Sequence, residues 1–344
     1  MKKIITLFCL VCISTIFLIG CNKAEETSGK IESGDEKNKP VQEQEKNVFP
    51  FTGLETNDQM NQRAVVVTIN NQMPARPQSG LQKADIVYEM LAEGEITRFL
   101  AVYQSEQPER VGPVRSARNY FLELAKGYDC IYICHGNSED ARIMLEEDYV
   151  DHLNGLYYDG TLFKRDDSRK APHNSYISFE NIMKGAEEKG FEVSGQYEDM
   201  YTFLSEDELQ NLSGEDATTI DVKYGTSSFD VTYEYDETIE RYKRFSAGEQ
   251  MVDKDTGEEI FIDNIVVMET LHTLREDGRR DIDLQTGGKG YLFQKGKWTT
   301  IEWESVDNLL TFVKDGEKVK LVPGKTWINI IPNKPGIESK VSIQ

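Results

Sequence analysis

Arg115 and Arg118 lie three positions apart, with Ser116 between them, in the stretch VGPVRSARNYF at residues 111–121. Glycine and proline mark a turn before them. After them Phe121, Leu122, Leu124 and Ala125 recur at helical spacing, with Gly127 as a stop, which predicts a helix capped by Ser116. The first turn of a helix leaves backbone N–H groups without partners and carries partial positive charge, so an anion is favoured there. A guanidinium closes on phosphate or carboxylate through two parallel hydrogen bonds. The pattern is therefore that of a phosphate-sized receptor. Arg76, in the Pro-flanked loop MPARPQSG, and Arg98, just past a turn bracketed by Glu89 and Glu93, are its further candidates. The alternative is a structural network in which these arginines pair with Glu89, Glu93 or Glu123. That would require four arginines to converge for stability alone, to which buried ion pairs contribute little.

A second polar concentration is LFKRDDSRKAPHNSY at residues 162–176, which has no apolar face and suits a long loop lining a site. Arg165, Arg169, His173 and Asn174 join the binding candidates, as does His135, which follows the strand-like run CIYIC. Either histidine could serve as acid or base near neutral pH, or as a hydrogen-bonded packing element. Glu89, Asp166 and His173 are the candidates for catalysis. Asp166 and Asp167 could hold a divalent cation with phosphate oxygens completing its shell, but adjacent side chains usually point apart. No metal set and no cofactor is expected, since the four histidines lack paired Cys/His spacing. Hydrolase and nucleotide signatures (GxSxG, HExxH, Walker) are absent, and the glycines of TGGKGYLF lack the helix a dinucleotide fold needs. Cys130 and Cys134, four apart in one extended run, read as two buried thiols.

Alternating strand and helix signals must position these residues. AVVVTI (64–69), DIVYEML (85–91), ITRFLAVYQ (96–104) and DCIYICHG (129–136) read as strands. Helices are predicted from Ser116, over residues 138–147, and from Ser178 to Gly190. This predicts an α/β domain over residues 48–205, with a mixed sheet and flanking helices. From about Thr218 short alternating runs take over, with QKGKW and the DG of NLLTFVKDGEKVKLV as hairpin turns, so a mainly β domain is expected over 218–335. The link falls near 197–215. Trp298, Trp303 and Trp327 lie in β runs and read as packing residues.

The first twenty residues, MKKIITLFCLVCISTIFLIG, have the two lysines and short apolar run of a signal peptide. LIGC resembles the lipobox of bacterial lipoproteins, which implies cleavage before Cys21 and lipid, such as palmitate, on that residue. Residues 21–47 are almost entirely polar and predict a disordered tether reaching about 30 Å. Losing Lys2 and Lys3 takes the formal charge from −21 to −23, which disfavours nonspecific nucleic-acid binding. The expected location is the extracytoplasmic face of the cell membrane, and any anion site must be local.

The segments ARPQSGLQKADIVYE (75–89), EGEITRFLAVYQS (93–105), VGPVRSAR (111–118), KAPHN (170–174), DNIVVMET (263–270) and LVPGKTWINIIP (321–332) resemble the YerB-like lipoproteins of Gram-positive bacteria. That resemblance implies a membrane-anchored envelope protein with two modules of unknown function, and supplies no reaction. CHGNS at 134–138 departs from the more glycine-rich form expected there. The residues thus predict binding of an anionic envelope ligand, or of a partner protein, through clustered arginines. The alternative is a phosphotransferase or hydrolase acting on a lipid pyrophosphate or anionic wall polymer. It rests on analogy of site chemistry with enzymes that hold such substrates between arginines.

Overall fold

The computed structural model describes residues 47–57, 61–198 and 200–344. The expected signal peptide, Cys21 and all of the tether except Asn47 lie outside the described residues. Asn47 itself pairs with Thr56 in a short antiparallel bridge.

The apolar, β-branched runs assemble into one central sheet. Its order is Glu317–Lys318, Leu309–Lys314, Lys297–Val306, Gly288–Gln294, Asn264–Thr270, Thr326–Pro332, Ile86–Leu91, Thr97–Tyr103, Val65–Asn70, Ile131–Cys134 and His152–Asn154. Strands from both halves of the sequence share it. The junction is a parallel ladder in which Ile328 lies opposite Tyr88 and Ile330 opposite Met90. The described residues accordingly form one compact unit. Hairpins close where the turn chemistry predicts, with positive φ at Lys295 and Gly296 and at Asp315 and Gly316.

Each face of the sheet carries a core, because alternate side chains point opposite ways. On one face Tyr88, Leu100, Val102 and Ile328 pack against helices Asn119–Gly127 and Glu139–Glu146 through Tyr120, Phe121, Leu124 and Leu145. On the other, Val87, Phe99, Ala101 and Trp327 meet helix Phe179–Lys189 and a second sheet, which supplies Ile220, Val231, Tyr233 and Tyr242. The chain is thus an α/β N-terminal half followed by a mainly β half. Trp303 and Trp327 are buried, and Trp298 stacks on Phe293. Cys130 and Cys134 are free and buried.

Three neighbouring parallel strands end on the same edge of the sheet, at Asn70, Cys134 and Asn154. Arg98 joins them there, opposite Asn70 at the start of an antiparallel strand. Open α/β sheets place ligands at this edge.

Candidate functional site

The ladder between Val65–Asn70 and Ile131–Cys134 ends at Val67 opposite Ile133. Beyond that point the VRSAR segment enters between the two strands. Arg115 N–H donates to Thr68 O at 2.8 Å, while His135 N–H donates to Arg115 O and Ala117 N–H to Gly136 O, each at 2.9 Å. The segment is extended, and the helix begins only at Asn119, with Arg118 in the cap position and no side-chain cap bond. This corrects the expected cap. The Ser116 hydroxyl donates instead to His135 O at 3.2 Å, because the sheet edge offers an acceptor before the helix starts. Gly136, at φ 93°, permits this approach: a Cβ there would lie 2.7 Å from Ser116 Oγ.

Arg98 and Arg118 share a carboxylate. Arg98 Nη2 donates to both oxygens of Glu93 at 3.0 and 2.7 Å, and its Nη1 donates to Ser116 O at 2.8 Å. Arg118 Nη2 also pairs with Glu93. One acid therefore serves two buried arginines. Arg279 and Arg280, contributed by the second half of the chain, were not identified from the sequence. Gly94 N–H donates to Gly278 O, and Arg280 donates to Gly94 O, fastening the 272–282 hairpin over the Glu93 turn. The charge of Arg279 reaches Arg98 and Arg118 and, after burial, lowers both pKa values. The adjacent arginines of EDGRR were the available signal, but nothing local names their partner.

Arg115 differs from these. Among the described residues its guanidinium has no hydrogen-bonding or ion-pair partner, and its Nε is buried without one. Burial and then the charge of Arg98 pull the guanidinium down to about 10. A half-buried cation without a counter-charge is costly.

The two histidines near Arg115 have assignable tautomers. Arg165 Nη2 lies 3.1 Å from His135 Nε2, and arginine can only donate, so Nε2 accepts. The proton then sits on Nδ1, 2.7 Å from Ser175 Oγ, and the ring is neutral. Burial and the Arg165 charge lower its pKa accordingly. Gly155 packs on this ring: a Cβ there would come within 2.2 Å of Nδ1. For His173, the amide of Asn70 sets the proton. Asn70 Oδ1 accepts from Gln72 N–H at 2.9 Å, so Nδ2 faces His173 Nδ1, also at 2.9 Å, and donates to it. His173 therefore carries its proton on Nε2, as a donor without a partner among the described residues. Burial, then Arg115 and Arg169, lower its pKa. Arg115 and His173 thus form a cluster of donors with no free lone pair between them.

The other candidates are held by partners of their own. Glu89 is fully buried on the opposite face of the sheet from Arg98, where it pairs with Arg244 and accepts from Thr97 Oγ1 at 2.8 Å and Asn71 Nδ2 at 3.1 Å. Asp166 pairs with Lys254 at 3.0 Å and Arg110 at 3.1 Å, which ties the loop to the second half of the chain. Arg169 joins loops by donating to Ala75 O and Pro77 O. Asn174 accepts from Arg165 and braces the Asp166 turn, and Arg165 is paired with Asp159. Arg76 is coupled electrostatically to Glu89 and Arg244, apart from the Arg115 cluster. No group of three His, Cys, Asp or Glu among the described residues is placed to hold a metal ion.

Two family models match the chain. They are the protein of unknown function (DUF3048) N-terminal domain at residues 51–192 and the corresponding C-terminal domain at residues 220–328. The chain belongs to the DUF3048 family. It is 43% identical over 340 residues to a Bacillus subtilis (strain 168) protein named as a lipoprotein, YerB, covering 97% of this chain and 96% of that one. The crystal structure of the Bacillus subtilis YerB protein superposes with a TM-score of 0.80 at 45% identity, covering 87% of this chain and all of that one. Both family models therefore contribute strands to the central sheet, and the Arg115 edge lies within the first.

Proposed function

We propose that this protein is a lipoprotein, anchored through Cys21 to the extracytoplasmic face of the membrane, that binds an anionic cell-envelope ligand at the sheet edge around Arg115. The observation that carries the reading is the unpaired Arg115 beside the free Nε2–H of His173, in a chain with 60 acidic residues. With that many carboxylates available, an arginine left without one is suited to a counter-ion from outside. Arg98 and Arg118 add a net positive charge beyond what Glu93 neutralises. Phosphate or carboxylate oxygens match the planar donor fork.

The phosphotransferase or hydrolase reading draws less support. Glu89 is paired on the other face, Asp166 is held by two cations, and both histidine tautomers offer no free base to a group bound at Arg115. The distinguishing experiment is titration of the folded protein with sulfate, pyrophosphate and poly(glycerol phosphate), read by calorimetry and by product analysis. Binding without turnover is expected, with Arg115→Ala weakening it at least about tenfold, the value of one charge-assisted hydrogen bond. Equal binding by Arg115→Ala and the parent would refute the site. Turnover of a pyrophosphate or polymer bond would select the enzyme.

A further inference from the structure

A separate cavity of about 260 Å³ lies between the MPARPQ loop and the strand Arg241–Ser246 with the turn that follows it. Its polar lining is unusually incomplete. Arg76 Nε donates to Asn71 O and Asn71 Oδ1, each at 3.0 Å, and Nη2 donates to Ser228 O at 2.9 Å. All of these acceptors are neutral. Arg76 forms no ion pair among the described residues, and its Nη1 has no partner there. Burial and then the charge of Arg244 lower its pKa to about 10. Opposite it, Ser246 is 3% exposed and its hydroxyl lacks a hydrogen-bond partner, as does the buried Nε2 of Gln250. Ser246 occupies an inward position of its strand, two residues after the buried Arg244. Arg76, Ser246 and Gln250, each with an unpartnered polar atom, thus line one hollow.

The remaining lining defines the ligand. Met73 and Met251 supply apolar, adaptable surface. Glu249 is exposed at the rim, close enough for its charge to act on Arg76 without forming an ion pair. The cavity is smaller than the range of about 300–1,000 Å³ typical of drug-sized ligands. We propose that it is a second ligand site, for a small apolar zwitterion of the amino-acid or dipeptide class. Arg76 and Gln250 take the carboxylate, Glu249 takes the ammonium group, and the side chain lies against Met73 and Met251. Ser246 completes the polar end. This site does not depend on Arg115 and stands whether or not the anion edge does.

The test uses the folded chain with four probes, L-leucine, leucyl-leucine, N-acetyl-leucine and leucinamide, followed by calorimetry and thermal shift. The two zwitterions are expected to bind and raise the melting temperature. N-acetyl-leucine, which leaves Glu249 without a cation, should bind about tenfold more weakly, and leucinamide should fail for want of a carboxylate. Arg76→Gln should abolish zwitterion binding, while Arg115→Ala leaves it intact. Because Arg76 also holds its own loop, Gln250→Leu, which obstructs the cavity from the opposite wall, provides an independent loss. The proposal is overturned if none of the probes binds at millimolar concentration, showing a cavity occupied by water only. Binding that survives both Arg76→Gln and Gln250→Leu overturns it equally.

Discussion

Glu89→Gln should destabilise the protein severely and leave sulfate binding untouched. Both side chains of the Glu89–Arg244 pair are fully buried, and the guanidinium lies 4.5 Å from the Trp327 ring centroid. The substitution keeps the volume and the contacts to Thr97 and Asn71, but leaves Arg244 charged in a fully buried site. Breaking such a pair from one side costs about 3–5 kcal/mol. At the lower end of the usual conversion, about 2 °C per kcal/mol for large domains, the melting temperature should fall by roughly 6–10 °C. Urea denaturation followed by fluorescence measures the loss, and calorimetry with sulfate measures the site. The double variant Glu89→Leu with Arg244→Met should recover much of the stability, since apolar replacements of buried pairs are often neutral. If Glu89→Gln unfolds within about 0.5 kcal/mol of the parent, the range of an inconsequential surface change, the pair is not structural and the argument against a catalytic Glu89 fails.

Gly155→Ala should push the His135 ring from its place against Arg165 and lower sulfate affinity, with wild-type binding as the disproving result. Burial raises the Asp85 pKa to about 6 against hydrogen bonds from Ser105 and Gln104, so stability should be greatest below about pH 4 in this respect and decline toward pH 6, a slope that Asp85→Asn removes. Asp166 is shifted the other way, downward, by its bonds to Ser168 and then Lys254. Its contribution is present above the ordinary aspartate pKa and is lost as acid protonates it, so Asp166→Asn should cost stability at neutral pH and flatten the acid limb of the curve. Cys21→Ala should release the protein from the membrane fraction, and retention there would contradict the anchor.

Much of the fold is legible because it depends on neighbours in sequence. The hairpin at Ala92–Glu95, the DG turn at Asp315–Gly316 and the helix opened by Ser178 follow from local turn and cap chemistry. The continuous run AVVVTI announces a strand covered on both faces, and the runs of the second half announce further strands. What they cannot announce is which strand lies beside them, since the Tyr88–Ile328 pairing joins residues 240 positions apart. The same blindness governs the site. Arg98, Arg115 and Arg118 are recognisable by type and spacing, whereas the strand alternation that turns Glu89 away from Arg98 carries no mark of its partner Arg244. Ser116 was misread because serine before a helical run usually caps it, whereas here two strand ends bind the backbone first.

The ladder that joins the halves also dictates an order of assembly. Thr326–Pro332 sits between Asn264–Thr270 and Ile86–Leu91, so the middle of the sheet is among the last parts of the chain to be synthesised. Until those seven residues emerge, Ile86–Leu91 presents a bare apolar margin able to recruit any other unpaired strand. A polypeptide delivered amino end first therefore travels with its keystone missing. Loss of a carboxy-terminal piece that includes Thr326–Pro332 would leave the same margin open for good, favouring clumping over a smaller working module.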